Sequence, residues 1–441
     1  MAKSKKRRAS NRPTYQPSPK ITSALSKAES LIEDRRYEEA KALLVPLAES
    51  HPRSRPVLLA LIEICQEQQD WAGFVRYSEQ LLPLERGMER ASTLNNLVFA
   101  HTQLVYPALA WQAAQELVNE YPDHPQVEKF KRLMQTTETF LREHSADLPT
   151  VANLPPDEQM ELLLLHDRVR LYTASGQAEK AIAAAESLLA KAPDFIPGLN
   201  NLSLAYFTVG RVDQAIATAQ RVLALVPDNF HALGNLTRYH FLTARFETAG
   251  DYAARLQRLI DGPSDLETKQ AEALAFLGDD RGVRAVYERA RKRTAELEPV
   301  LLHLAAAAHY RLGDEKTAWR LWREAVKREP TLSLAQENLA DQRRPVGERD
   351  APWYWSMHYW LPPDFGQSLK QLTAEPLRSK SEEAAQRAFN ALLDRYPYLP
   401  QLFPHILERG DRAAREMVIG LIRLMGRPEL ARILVDFALG R

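Results

Sequence analysis

LLLLHDRVRLYTASGQAEKAIAAAESLLAKAPDF, residues 162–195, and IPGLNNLSLAYFTVGRVDQAIATAQRVLALVPDN, residues 196–229, are consecutive stretches of equal length that align without a gap. One offset of 34 residues places Tyr172 on Tyr206, Gly176 on Gly210 and Pro193 on Pro227. Small residues keep the same register into a third stretch, at Ala181, Ala215 and Ala249 and again at Ala185, Ala219 and Ala253. Self-similarity at a fixed period of this size is typical of repeat architectures. The chain therefore contains an internal repeat.

Each repeat is predicted to form two helices. In residues 196–229, apolar residues recur at helical spacing on both sides of a turn at Gly210-Arg211. They are Leu199, Leu202 and Tyr206 in the first helix and Ala215, Ala219 and Val222 in the second. Small residues allow the two axes to approach closely, and Pro227 ends the pair. Because one pair cannot bury both of its faces, neighbouring repeats are expected to stack.

These positions resemble the tetratricopeptide repeat, which places large apolar residues in the first helix, alanines in the second and a closing proline. The resemblance implies an all-α superhelical solenoid that binds other proteins. Weaker copies of the pattern are found on both sides of the two clear ones, at residues 21–52, 55–86, 91–122, 230–261, 264–297 and 299–332.

Breaks in the pattern predict six segments. They are a basic tail at 1–20, a first repeat block at 21–140, a linker at 141–161, the main repeat block at 162–340, an aromatic linker at 341–365 and a helical module at 366–441. The last module resembles a HEAT repeat around 411–415 and 426–430, although the motif is short. The aromatic run from Trp353 to Trp360 is predicted to be a buried wedge between the solenoid and this module, the alternative being a ligand-binding or membrane-surface role.

The candidate binding surface is the face presented by the first helix of each repeat. Repeat register places eleven candidate residues on this face: Asn96, His166, Arg170, Asn200, Asn201, Phe207, His231, Asn235, Arg238, Phe241 and Lys269. Asparagine recurs at position six of three repeats, and an amide can pair with the backbone of an extended peptide whatever its sequence. In peptide-binding tetratricopeptide proteins the position-six asparagines have this role, so the resemblance implies it for Asn96, Asn201 and Asn235. Nearby Arg and Lys would favour acidic groups.

The first twenty residues carry seven positive charges and no acid. The expected polyanion contacts are Lys3, Lys5, Lys6, Arg7, Arg8 and Arg12. The stretch contains no apolar core, so we expect no ordinary secretory signal, and we expect no membrane span because no run is long and apolar enough. With a single cysteine, Cys65, the chain is expected in the cytoplasm.

Catalytic chemistry has no support in the sequence. The chain lacks phosphate-binding loops, zinc-protease motifs and nucleophile elbows, and its 11 histidines are scattered. We therefore expect no catalytic residue, no metal and no cofactor. Cys65 is expected to be a core residue, because it falls on a buried repeat position.

The resulting hypothesis is a non-enzymatic scaffold or adaptor that binds a partner peptide or helix in its groove. Two alternatives are a nucleic-acid-associated regulatory protein anchored by its tail and the regulatory subunit of a separate enzyme. The apolar stripe Leu430, Ile433, Leu434 and Phe437 is expected to pack on Met417, Leu421 and Leu424, or else to form an interface with a second chain. The oligomeric state does not follow from the sequence.

Overall fold

The computed structural model of the chain describes residues 19–145, 154–294, 296–350, 352–362, 364–366, 368–369, 371 and 382–440. It divides at Gly176 into two compact units, which are described separately. The division lies inside the repeat placed at 162–195.

The N-terminal unit consists of antiparallel helix pairs. Its helices are α1 (Pro19–Glu33), α2 (Tyr37–Ser50), α3 (Arg55–Glu67), α4 (Trp71–Leu81), α5 (Gly87–Gln103), α6 (Pro107–Glu120), α7 (Val127–Ser145) and α8 (Pro156–Ala174). The first three pairs coincide with the copies predicted at 21–52, 55–86 and 91–122, and α7 follows them. A continuous core of aliphatic and aromatic residues runs through all three pairs.

The C-terminal unit continues the pattern and then departs from it. Its repeat helices are α9 (Ala178–Lys191), α10 (Ile196–Thr208), α11 (Val212–Leu225), α12 (Phe230–Leu242), α13 (Phe246–Gln257), α14 (Leu266–Leu277), α15 (Asp280–Arg293), α16 (Pro299–Arg311), α17 (Glu315–Arg328) and α18 (Ser333–Asp341). Further helices with described bounds are α19 (Met357–Trp360), α20 (Glu382–Arg395), α21 (Leu399–Arg409), α22 (Arg412–Met425) and α23 (Pro428–Ala438). The all-α repeat architecture predicted from the sequence is confirmed.

The backbone shows the repeat register at the turn inside each pair. One residue per turn has a positive φ: Arg35, Gln69, Val105, Gly176, Gly210, Ala244, Gly278 and Gly313. A left-handed residue at a helix C-terminus satisfies carbonyls that have no partner in the helix, and glycine adopts this conformation without steric cost. The same turn is therefore formed even where no glycine is present.

The predicted core positions are buried. Tyr206 is 8% exposed, and Ala215 and Ala219 are fully buried between their helices. Val283, which stands where the repeat usually has alanine, is also fully buried. The departures from the repeat pattern leave the packing intact.

Residues 352–362, the aromatic segment, connect the repeats to the last helices. Trp353, Tyr354, Trp355 and Trp360 are all buried, which confirms the expected wedge. The segment is mostly extended, and only Met357–Trp360 forms a helical turn. A parallel β-bridge joins Trp355 to Gly410, the residue that follows α21.

Candidate functional site

The first helices of the C-terminal repeats, α10, α12, α14, α16 and α18, present one common face, called here the groove face. Repeat register places the candidate residues of this unit on it. Much of this face is in contact with the chain's own aromatic segment. The contacts of the aromatic segment begin at α18 and continue toward α10.

Asn338, at position six of α18, holds the backbone of the aromatic segment. Its Oδ1 accepts a hydrogen bond from Trp353 N at 3.1 Å, and its Nδ2 donates to Trp353 O at 3.3 Å and to Leu334 O at 2.8 Å. The side chain is fully buried. This is the backbone pairing that the sequence predicts for position-six amides, here made within the chain.

The next contacts are made by α16 and α15. His303 Nδ1 accepts from Trp322 Nε1 at 3.2 Å, so its Nε2 carries the proton and donates to Tyr354 O at 3.0 Å. Burial lowers the pKa of His303 to about 4, which keeps the ring neutral. The Tyr354 hydroxyl donates to Asp280 Oδ1 at 2.7 Å. The start of the segment is therefore held by specific hydrogen bonds.

Aromatic stacking follows on α14 and α12. Trp355 stacks on Phe276 with ring centroids 4.8 Å apart, and Trp360 packs near both Phe276 and Phe241. Buried Arg409 of α21 donates to Ala275 O at 3.1 Å and to Phe276 O at 2.7 Å, at the C-terminal end of α14. Its guanidinium also lies over the Trp360 ring. Residues from the last helices thus close over the groove face.

Several candidate residues are engaged inside the protein. Phe207 is 3% exposed and stacks on Tyr239 at 4.3 Å, and Phe241 is 2% exposed. Asn200 Nδ2 donates to Asn229 Oδ1, which caps the start of α12. Two further candidates have acidic neighbours: Lys269 pairs with Glu272 at 2.7 Å, and His231 lies 3.7 Å from Asp265.

Asn201, Asn235 and Arg238 form a contrasting group. All three are half-buried, and within the described residues none of them has a hydrogen-bond or ion-pair partner. Asn235 and Arg238 are three residues apart on α12 and so lie on one side of the helix. The Arg238 guanidinium lies 5.2 Å from the Phe207 ring, 5.9 Å from Phe276 and 5.5 Å from Tyr359.

The three candidate residues of the N-terminal unit have different surroundings. Asn96 is exposed on α5. His166 is half-buried on α8, and burial lowers its pKa to about 4. Arg170 lies over the Tyr106 ring at 4.6 Å and donates to Val105 O at 3.1 Å. It lies 3.6 Å from Asp167, whose pKa burial raises to about 6. Arg170 therefore holds the turn before α6.

Cys65 is fully buried, and burial raises the pKa of its thiol to about 12, as expected of a core residue. Within the described part of the chain no group of acidic, histidine and cysteine side chains could hold a metal ion, and no helix is long and apolar enough to cross a membrane. The tail contacts Lys3 to Arg12 lie outside the described residues.

The C-terminal stripe is covered only in part. Leu430 is buried, whereas Phe437 is 42% exposed. Helix α23 packs against both α21 and α22, and Leu424, one of its expected neighbours, is 45% exposed. Pro404, Leu407, Arg415, Ile433 and Phe437 border a cleft of 590 Å³. Packing within the module therefore covers Leu430 but leaves Phe437 partly exposed.

The sequence prediction missed Asn338 as a site residue. The predicted copies end at residue 332, and α18 lies beyond that boundary. The signal was present, because Asn338 follows Asn235 by three repeats and occupies the same position six. The HEAT-like character of the last helices stays a prediction.

Comparisons with known proteins address the repeat directly. A family profile described as "Tetratricopeptide repeat" matches residues 172–238. No curated protein matches the chain.

Similar solved structures are also tetratricopeptide-repeat proteins. One from Parabacteroides merdae is 14% identical with a TM-score of 0.38, covering 57% of this chain and 97% of that one. The TPR domain of P58(IPK) is 12% identical with a TM-score of 0.25, covering 74% and 99%. The TPR2AB domain of yeast Sti1, in a complex with pHSP90, is 14% identical with a TM-score of 0.23, covering 61% of this chain and 98% of that one.

The assignment rests on the profile match and on the repeat register of helices and turns. Tetratricopeptide repeats generally mediate protein–protein interaction, and the fold is generally not catalytic. Residues 172–238 therefore match the tetratricopeptide repeat, and the helix pairs on both sides of them keep the same register of helices and turns.

Proposed function

We propose that this protein is a non-enzymatic interaction scaffold whose groove face holds an extended segment of a partner protein. The supporting observation is the pair of bonds between Asn338 and the backbone of Trp353. A position-six amide of this groove face already pairs with an extended backbone, and this pairing uses only the main-chain atoms of Trp353. Its chemistry suits the same task for a separate chain.

Asn201 and Asn235 are the residues that would perform it. They hold the same repeat position on α10 and α12, and each lacks a partner among the described residues. A half-buried amide without a partner loses hydrogen bonds that a bound backbone would restore. A cytoplasmic location is part of the same proposal and rests on the single cysteine.

The partner can be captured by a photo-crosslinking residue at position 235, with position 220 on α11 as the reference site. Binding of the identified segment is then measured by calorimetry. The double variant Asn201→Ala, Asn235→Ala should weaken it by about 1–3 kcal/mol without a comparable loss of stability.

A matched control is the double variant Gln214→Ala, Gln220→Ala, which removes two exposed amides from the second helix α11. It should leave the affinity unchanged. If both double variants bind the partner as the native chain does, the groove face is not the binding surface.

A further inference from the structure

Four arginines surround the aromatic segment, and one of them differs from the others. Arg311 pairs with Asp280 at 3.0 Å and with Glu408 at 2.6 Å. The other two engaged arginines donate to backbone carbonyls: Arg409 to Ala275 and Phe276, and Arg415 to Asp350. Arg238 alone of the four has no acceptor among the described residues, and its Nε is buried.

A half-buried guanidinium without an anion is costly, because desolvation is not offset by an ion pair. Three aromatic rings around Arg238 offset part of that cost through cation–π contacts. They also hold the planar group in one orientation, and its terminal Nη donors, unlike the buried Nε, stay available to a planar acceptor. The arrangement is therefore prepared for an anion.

The aromatic segment supplies one wall of this site. Phe207 and Phe276 belong to repeat helices, whereas Tyr359 comes from outside the repeats. The Tyr359 ring is itself supported by Trp355, at a centroid distance of 5.2 Å. The nearby acid Asp411 is engaged, since it accepts from Met357 N at 3.2 Å and from Ala414 N at 2.8 Å.

We propose that Arg238, held between Phe207, Phe276 and the chain's own Tyr359, is the receptor for an acidic side chain of the partner segment. This proposal rests on the proposed function, because Asn201 and Asn235 would hold the backbone beside it. A carboxylate fits best, since it is planar and accepts two parallel N–H bonds from a guanidinium. The partner is thus an extended segment with an Asp or Glu facing α12.

The test uses a random library of twelve-residue peptides selected on the full chain. Selected peptides should share an Asp or Glu at one position. Changing that residue to Asn or Gln should weaken binding at least about tenfold, as expected for loss of a charge-assisted bond. The Arg238→Gln variant should bind the acidic peptide and its Asn or Gln counterpart with equal affinity. Arg245→Gln, an exposed arginine of the same repeat, should keep the preference.

Tyr359→Leu tests the wall contributed by the aromatic segment. The preference for the acidic peptide should fall a few-fold, because a leucine no longer orients the guanidinium. The Tyr359→Phe variant keeps the ring and should keep the native preference. Thermal unfolding of each variant checks folding, and Arg238→Lys provides a second variant that keeps the charge.

The outcomes separate the two proposals. If the library yields no binder, or if the Asn201, Asn235 double variant binds as the native chain does, the proposed function fails. If peptides bind through these asparagines but Arg238→Gln and Arg238→Lys both keep the native acid preference, only the Arg238 receptor is wrong. A preference for phosphorylated over carboxylate peptides would also overturn it.

Discussion

The first helices of the two units differ in how exposed their large apolar residues are. In the C-terminal unit Phe241 and Phe276 are 2% and 3% exposed beneath the aromatic segment. In the N-terminal unit Leu59 and Phe99, also on first helices, are 40% and 52% exposed. Helices built on the same repeat pattern therefore present a filled surface in one unit and an exposed one in the other.

The difference shows that a segment outside the repeats decides which part of a repeat surface remains available. The aromatic segment buries several large rings, and each buried aromatic side chain stabilises the folded state by about 1.5–3 kcal/mol. Such a segment is a structural part of its unit. Asn201, Asn235 and Arg238, which have no partner among the described residues, are the side chains proposed to bind another chain.

The largest expected effect tests whether the aromatic segment is structural. Trp360→Ala should lower the free energy of unfolding by about 3–5 kcal/mol, because a fully buried ring is removed from the core. Phe99→Ala should cost less than about 1 kcal/mol, since half of that ring is already exposed. Guanidinium denaturation of the full chain measures both. Equal costs would mean that the segment is only loosely held.

A smaller effect compares two position-six asparagines. Asn338→Ala should destabilise the protein by about 2–3 kcal/mol, because it leaves the buried backbone of Trp353 without its partner. Asn96→Ala, on an exposed position of α5, should change stability by less than about 0.5 kcal/mol. The same denaturation experiment gives both values. A small cost at Asn338 would remove the observation that supports the proposed groove chemistry.

Acid should weaken the contact between α16 and the aromatic segment. The pKa of His303 is lowered by burial from 6.5 to about 4, so the folded state favours the neutral ring. The stabilising effect is complete above pH 6.5 and is lost as the pH falls toward 4. This residue alone can raise the unfolded population at most about tenfold per pH unit in that window.

Tryptophan emission followed from pH 7 to pH 4 measures this transition. His303→Gln should flatten the pH dependence, whereas His51→Gln, an exposed histidine of the N-terminal unit, should not. An unchanged profile in His303→Gln would assign the acid sensitivity to other buried histidines, such as His101, whose pKa burial lowers to about 3.

The smallest effect concerns the turns, which also differ between the units. In the first three turns of the N-terminal unit the left-handed residues are Arg35, Gln69 and Val105. Val105→Gly should stabilise the protein by about 1 kcal/mol, because a β-branched residue is strained at a φ of 55°. Gly313→Ala should cost about 1 kcal/mol through strain alone, since open space surrounds the glycine. Thermal unfolding resolves both shifts, and no gain from Val105→Gly would mean that the turn is not strained.

Repeat spacing predicted much of the fold. The copies, their turns, the buried alanines and the core position of Cys65 follow from residues a fixed distance apart, because each repeat contacts mainly its neighbours. The candidate site was less predictable. The register placed Phe207 and Arg170 on the proposed surface, whereas Phe207 is buried and Arg170 holds the turn before α6.

The sequence by itself determined which residues point toward the groove face, since helical period and repeat register depend on local spacing. Only the tertiary structure decided which of those residues are already satisfied. Trp353 is 15 residues from Asn338, Tyr354 is 51 from His303, and Arg409 is more than 130 from the carbonyls that it binds. These contacts depend on the path of a segment that has no repeat, and no periodic pattern specifies that path.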